Sequence, residues 1–252
     1  MLQDESTEKR VKAANRKFYD LVGDSYEQID GRRSPAMEAW VRKNLNHLRE
    51  QSTGGYLLDL GTGSGLVTRC AEGLFSRRVG IDLSPGILGF NRQNFDLAVA
   101  GDVDILPFRD HSFDVVTSFA LLHHLFSFEG LVAEVARILR PGGIFYSDHD
   151  LDAAFSKRFH PLLKLYRKLH NAESKYHKMS MSITKELYQL AEWQENGVDP
   201  LPIVNLLQRQ AFSVKTNYHW YGLGTITNRI FGERSFPRGL APLFSIVAFS
   251  SK

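Results

Sequence analysis

The chain has 252 residues, 43% of them hydrophobic and 23% charged, with a formal net charge of +3. That composition excludes a disordered or fibrous protein, and the length is enough for one large domain with a substantial core. The single cysteine, Cys70, excludes an internal disulfide and fits a reducing compartment.

The first residues are charged and lack the apolar centre of a signal peptide. No stretch approaches the roughly 20 apolar residues of a membrane span, so a cytoplasmic location is expected. Lys and Arg are scattered rather than gathered in a run, so the small positive charge gives little support to a nucleic-acid partner.

In chain order, residues 1–50 read as helices. Val11, Phe18 and Leu21, then Trp40, Val41 and Leu45, recur at roughly helical spacing. Gly31-Arg32-Arg33-Ser34-Pro35 breaks them, with Ser34 placed to cap and Pro35 at a first helical position. Tyr56 to Leu60 is a short apolar run ended by glycines, so a buried strand. A helix follows over Leu66, Val67, Cys70, Ala71 and Leu74. Strands are predicted at Arg78–Ile81, Leu97–Ala100 and Phe113–Ser118. Leu131, Val135, Ile138 and Leu139 mark a helix stopped by Pro141-Gly142-Gly143, and Ile144–Ser147 is a fifth strand. Residues 152–195 carry two helical patterns, the second ended by Gly197, and a further helix starts at Asp199-Pro200. Val214–Trp220 and Leu243–Phe249 close the chain as strands. Strands alternating with helices predict a parallel sheet covered on both faces.

The chemistry centres on Asp59-Leu60-Gly61-Thr62-Gly63-Ser64-Gly65, between a strand and a helix. Glycines let the backbone turn tightly and approach a ligand, and the following helix turns free N–H groups to the same place. Asp82 ends the second strand about 20 positions later, where an acidic residue accepts hydrogen bonds from ribose hydroxyls. Ser84 before Pro85 is the better helix cap, which frees Asp82 for that role. The glycine spacing is Gly-x-Gly-x-Gly, and Leu66 stands where a dinucleotide fingerprint has its third glycine. The loop therefore suits a nucleoside with a small tail better than a pyrophosphate. Asp102 ends the third strand at the same sheet edge, placed to accept from an adenine amino group.

With these segments in this order, the chain resembles the class I S-adenosylmethionine-dependent methyltransferases, the broad group whose members include quinone and small natural-product methyltransferases. The resemblance rests on Leu57 to Gly65, Val79-Gly80-Ile81-Asp82-Leu83-Ser84, Gly101 to Phe108, Ser112-Phe113-Asp114-Val115-Val116 and Leu139-Arg140-Pro141-Gly142-Gly143. Leu206-Leu207 and Ala211-Phe212 look like the last helix and turn, with alanine where glycine is usual. The Gly86 and Gly89 pair departs from the pattern.

The resemblance implies an α/β, Rossmann-like doubly wound, mostly parallel seven-stranded sheet with helices on both faces and a helical lid. It implies one domain over 1–252, divided into an N-terminal cap (1–50), a cofactor-binding core (51–150), a lid (151–200) and a final helix with closing strands (201–252). S-adenosylmethionine is the implied cofactor. Asp59 orients the loop and holds the methionine amino group, directly or through water. Gly61, Thr62 and Gly63 pass the methionine moiety. Asp82 binds the ribose, Leu83 packs on the adenine, and Asp102 and Val103 hold its edge. Ser118 and Phe119 lie near the sulfonium, and Tyr19 and Tyr26 close over the cofactor.

The sequence names no catalytic residue with the same force. His124, beside His123, and His149 and Asp150 at the end of the fifth strand are candidate acid–base groups. No metal is expected, because Asp148, His149 and Asp150 alternate faces on a strand and cannot all converge. The chain lacks the Asn-Pro-Pro-Tyr or Asp-Pro-Pro-Tyr segment of amino-methylating DNA enzymes of this fold. Methyl transfer to O, N or C of a small, aromatic, quinone or lipid-like acceptor is the expected activity. The alternatives are a non-catalytic S-adenosylmethionine-binding protein and an NAD-dependent oxidoreductase. Residues 155–195, rich in aromatics and histidines, read either as an ordinary helical layer or as a lid over an aromatic or lipid-like acceptor.

Overall fold

The computed structural model describes residues 2–23, 34–89, 91–169 and 182–251. Seven strands form one sheet: β1 (Tyr56–Leu60), β2 (Arg77–Asp82), β3 (Leu97–Ala100), β4 (Phe113–Phe119), β5 (Leu139–Leu151), β6 (Phe212–His219) and β7 (Leu243–Ser250). Their order is β3-β2-β1-β4-β5-β7-β6. The first five run parallel, while β7 is antiparallel to both β5 and β6.

Register explains why the strands are apolar throughout. One row crosses the sheet through Val79, Leu58, Val116, Phe145 and Ala248. All five side chains fall in one core cluster, with Leu131, Val135, Ile203 and Leu207 from α5 (Glu129–Ile138) and α9 (Pro200–Arg209). The neighbouring positions Leu57, Val115, Ile144 and Val247 face the other way. They meet Trp40, Val41 and Leu45 of α2 (Pro35–Gln51) and Val67 of α3 (Leu66–Cys70). A strand buried on both faces has no polar side to alternate with, so continuous runs replace alternation.

Three helix starts are as the sequence predicts. Met37 N donates to Ser34 Oγ (3.2 Å), Leu201 N donates to Asp199 Oδ1 (3.0 Å) and Ile87 N donates to Ser84 Oγ (3.2 Å). The last cap begins α4 (Pro85–Gly89). Other details differ. The fifth strand starts at Leu139, directly after α5, and carries the Pro141–Gly143 turn within it rather than after a loop. The helix expected to run to Gly197 is α8 (Lys185–Ala191), which ends earlier, and Gly197 sits in a later turn at φ 113°. In α1 (Leu2–Val22), Leu21 is 38% exposed and Val22 is the buried residue. Ala211 takes φ 63°, the conformation that favours the glycine it replaces. The Gly31–Arg33 break lies outside the described residues.

The remaining helices are α6 (Ala153–Arg158), α7 (His160–Leu169) and α10 (Thr225–Phe231). No helix among the described residues is long and apolar enough to cross a membrane. α1 and α8 pack together through Ala14, Phe18, Val22, Leu187, Tyr188 and Ala191. The two helices thus make one helical layer. α1 reaches the residues that follow β2, β3 and β4, so this layer lies over the C-terminal strand ends.

Candidate functional site

The chain leaves β1 for β2 and β3 on one side of the sheet, then returns to β4 on the other side of β1. Open α/β sheets bind ligands at such a switch point, outside the carboxyl ends of the strands. A cleft opens there. Gly61, Gly63, Asp82, Leu83, Asp102, Val103 and Phe119 line it, with Tyr19 and His124. These come from four different strand ends, the cap helix and the turn after β4.

The loop after β1 is held from both sides. Gly61, Gly63 and Gly65 take φ of 60°, 55° and 87°, where side chains with a Cβ are strained. Thr62 N donates to Ile81 O (3.0 Å), and Gly63 N donates to Asp82 Oδ2 (2.8 Å). The helix after the loop has only five residues, Leu66–Cys70. Its dipole is correspondingly small, so the loop and Asp82, rather than a helix terminus, shape the cleft.

Asp82 Oδ1 accepts from Ser84 N (2.9 Å) while Oδ2 accepts from Gly63 N. Each oxygen keeps a second lone pair, which suits two neighbouring hydroxyls. Burial pushes the Asp82 carboxyl up to about 6, partly offset by the Ser84 and Gly63 amides. It is ionised at neutral pH and ready to accept.

Asp102 Oδ1 accepts from Asp104 N (3.0 Å). Lys12 Nζ of α1 lies 2.9 Å from Asp102 Oδ2, 2.6 Å from Asp104 Oδ2 and 2.9 Å from Glu8. Burial opposes the Lys12 charge, but the three carboxylates outweigh it and raise its pKa. Sequence reasoning missed Lys12, which belongs to no motif and meets Asp102 and Asp104 only because α1 folds back over β3. Asp20 was missed for the same reason. It accepts from Ser84 Oγ (2.5 Å) and Gly86 N (3.1 Å). A Cβ on Gly86 would lie 2.8 Å from Asp20 Oδ1, which accounts for that glycine.

Some expected residues do not line the cleft. Thr62 and Ser118 are buried at 6% and 1% exposure, and Ser118 faces a separate small cavity beside Val41 and Tyr146. Tyr26 lies outside the described residues. Asp59 is 1% exposed and accepts from Thr117 Oγ1 (2.7 Å). Burial pushes its carboxyl up to about 7 from the ordinary 3.8. The folded state therefore holds an extra proton between about pH 4 and pH 7, and ionisation above that window costs stability. Asp59→Asn is expected to stabilise the ligand-free chain at pH 8 by roughly 2–4 kcal/mol in urea denaturation. The gain shrinks as pH falls towards 4. Equal stabilities at pH 8 would remove the burial penalty.

The two adjacent histidines are in opposite charge states. His123 Nδ1 lies 2.6 Å from Asp150 Oδ1 and Nε2 lies 3.3 Å from Glu192. Burial opposes its charge, but these carboxylates win and hold its pKa near 9. Burial, reinforced by charged His123, pushes His124 down to about 4. Neutral His124 donates through Nδ1 to Ala191 O (2.7 Å) and accepts the Tyr19 hydroxyl at Nε2 (3.1 Å). His124 lines the cleft, but as a weak base whose free nitrogen already binds Tyr19. Asp150 accepts from Leu122 N (3.2 Å) and His123 N (3.1 Å), and it lines neither the cleft nor the larger cavity beyond it.

Asp150 turns away to His123, but strict alternation fails for its two neighbours on β5. Asp148 and His149 do converge, because the strand bulges between Asp148 and Asp150 and His149 takes φ 71°. Asp148 Oδ2 accepts from Trp40 Nε1 (3.0 Å) and Tyr146 OH (2.5 Å). Its Oδ1 pairs with His219 Nε2 (2.8 Å) and accepts from His149 N (2.7 Å).

Residues 58–147 match the methyltransferase domain family. The sheet order, the loop and the acidic strand ends lie in that stretch or pair with it. A demethylmenaquinone methyltransferase of Tropheryma whipplei (strain Twist) is 30% identical over 135 residues, 51% of this chain and 55% of the relative. One from Corynebacterium kroppenstedtii is 33% identical over 128 residues, covering 50% and 56%. The chain thus spans about half the length of the curated relatives it matches. Solved structures agree with the fold over nearly the whole chain. Magnesium protoporphyrin IX methyltransferase of Synechocystis PCC 6803 superposes with a TM-score of 0.59 at 14% identity, over 96% of this chain and 100% of the other. An S-adenosylmethionine-dependent methyltransferase of Thermotoga maritima gives 0.60 at 15% identity, over 94% and 99%.

Proposed function

We propose that the chain transfers a methyl group from S-adenosylmethionine to O, N or C of an apolar small molecule. The observation that carries this reading is the convergence of Gly63, Asp82, Asp102 and Phe119 on one cleft at the sheet's switch point. The donor set fits the cofactor. Three carboxylates (Asp82, Asp102 and Asp104), backbone and apolar walls suit a nucleoside with a cationic, zwitterionic tail. Among the described lining residues the only Lys or Arg is Lys12, already engaged by carboxylates. A pyrophosphate would want more positive charge, which counts against a dinucleotide.

In this reading Asp82 accepts from the ribose hydroxyls, and Leu83 and Val103 cover the adenine. Asp102 takes its amino edge, held in place by Lys12. Gly61 and Gly63 leave room for the methionine tail, with Asp59 stiffening the loop from behind. Phe119 presents an aromatic ring to the sulfonium, and Tyr19 closes the cleft from the cap. When bound, the cofactor supplies an electrophilic methyl group. The protein's own contribution is then largely alignment and exclusion of water, worth up to about 7 to 11 kcal/mol when orientation is ideal.

Calorimetric titration with S-adenosylmethionine tests the assignment. Asp82→Ala is expected to weaken binding by about 1.5–3 kcal/mol, the usual worth of hydrogen bonds to a charged group. Unchanged affinity in a folded variant would remove Asp82 from the ribose site. Labelled methyl transfer into a cell extract identifies the acceptor.

A further inference from the structure

A second cavity, with about 1660 Å³ of unfilled space, lies next to the cleft. Leu151, Phe155, Leu163, Trp220 and Leu243 make much of its wall. The two spaces meet at one pair of rings. Phe119 lines the cleft and stacks on His149, which lines the chamber, with ring centroids 4.3 Å apart and planes at 25°.

His149 is held there at a cost. Its φ of 71° is unusual for a side chain with a Cβ, and the bulge takes it out of the β5–β7 ladder. Gly222 faces it, and a Cβ there would lie 2.3 Å from His149 Nε2. The ring is buried, with Nδ1 3.0 Å from Asp148 Oδ1. Neither ring nitrogen has a hydrogen-bonding partner among the described residues, the Nδ1 contact with Asp148 being one of ion-pair distance only. A buried ring nitrogen without a partner awaits a ligand or wastes free energy. Asp148 favours the proton at Nδ1, which leaves Nε2 as a base.

We infer that this chamber takes the methyl acceptor, an apolar aromatic molecule with a weakly acidic hydroxyl, and that His149 Nε2 receives its proton. The inference rests on the methyl-transfer reading above. The charged side chains among the described lining are His123, Glu192 and Glu195, with no Lys or Arg, so an anionic acceptor is disfavoured. The acceptor therefore enters neutral and must lose its proton inside. As the O–H bond breaks, the proton passes to Nε2. A lone pair on that oxygen forms the new O–CH3 bond, and the electrons of the breaking S–CH3 bond stay on sulfur. Asp148 balances the charge that His149 gains.

The test uses 2-naphthol as the neutral donor and 2-methoxynaphthalene as the same shape without the O–H. Calorimetry on the full chain should show 2-naphthol binding at least 10-fold more tightly. That preference should fall to within 2-fold in His149→Phe, which keeps the stack on Phe119. Leu163→Trp, which fills the chamber, should weaken both probes at least 10-fold and leave cofactor affinity unchanged. Naphthol should also accept a methyl group, and His149→Phe should lower kcat at least 100-fold. Equal binding of the two probes, binding of neither, or an undiminished preference in His149→Phe would each overturn the inference. If His149→Phe does not fold, the wild-type preference and Leu163→Trp decide. Cofactor binding is measured separately. Its failure beside an intact probe preference would sink the methyl-transfer reading and leave the donor-recognising chamber standing.

Discussion

Gly63→Val is expected to lower S-adenosylmethionine affinity at least 100-fold while leaving the sheet folded. Gly63 sits at φ 55°, where a β-branched residue is strained by roughly 1–2 kcal/mol. Its side chain would also enter the cleft that its backbone lines. The loop has two responses. If it stays, the valine occupies ligand space. If it moves, Gly63 N leaves Asp82 Oδ2, now 2.8 Å away, and the carboxylate loses its anchor. Both routes cost affinity, and a 100-fold loss is about 2.7 kcal/mol. The strands survive because β1 is paired along its length with β2 and β4, none of which uses position 63. Calorimetry reads the affinity, and circular dichroism with a urea midpoint reads the fold. Normal affinity in a folded variant would show that this loop is not the cofactor site.

Asp148→Ala should have the largest effect on stability, a loss of about 3–5 kcal/mol. Asp148 is 1% exposed and serves Trp40, Tyr146, His219 and the His149 amide. Removing it leaves those buried groups without their partner, and a missing partner costs more than the bond was worth. Burial alone would raise the Asp148 pKa, but the neighbouring His149 and His219 drive it well below the ordinary 3.8. A depressed folded pKa gives stability that is present above the unfolded value and lost as pH falls through the folded one. The difference between wild type and variant should therefore be full at pH 7 and shrink below about pH 4. Urea denaturation across pH measures it, and a loss under 1 kcal/mol at pH 7 would refute the network. Cofactor affinity should hold, since Asp148 does not line the cleft. The contrast with Asp59 is instructive. Both carboxylates are buried, yet removing the charge of Asp59 should stabilise the chain, because burial there outweighs the bonds it receives.

Much of the sheet was legible in the sequence because strand formation is a local matter. Tyr56–Leu60 and Leu97–Ala100 have the boundaries their apolar runs predict, and Phe113 and Leu243 start strands as expected. Ser34, Ser84 and Asp199 cap their helices because a cap needs only a side chain two or three residues from an open N–H. The glycines of 61–65 and the position of Asp82 were readable for the same reason: a loop and the next parallel strand lie within one βαβ unit.

Tertiary structure alone decided which distant side chains meet. Lys12 reaches Asp102 and Asp104 because α1 folds across the strand ends, and nothing near residue 12 encodes that approach. His123 acquires its charge from Asp150 and Glu192, whereas His124 next to it loses its own to burial. Identical side chains at adjacent positions thus differ through packing that no local pattern records. His149 was readable as a candidate but not as a partner of Asp148, because strict alternation along a strand would have parted them. The bulge at φ 71° reverses that, and the pairing of β5 with β7 and of β7 with β6 brings His219 to the same carboxylate. Backbone dihedrals and hydrophobic period are properties of neighbouring residues, so the sequence determined the elements and the cofactor loop. Charge state and convergence are set by through-space contacts across the sheet, so only the folded chain determined those.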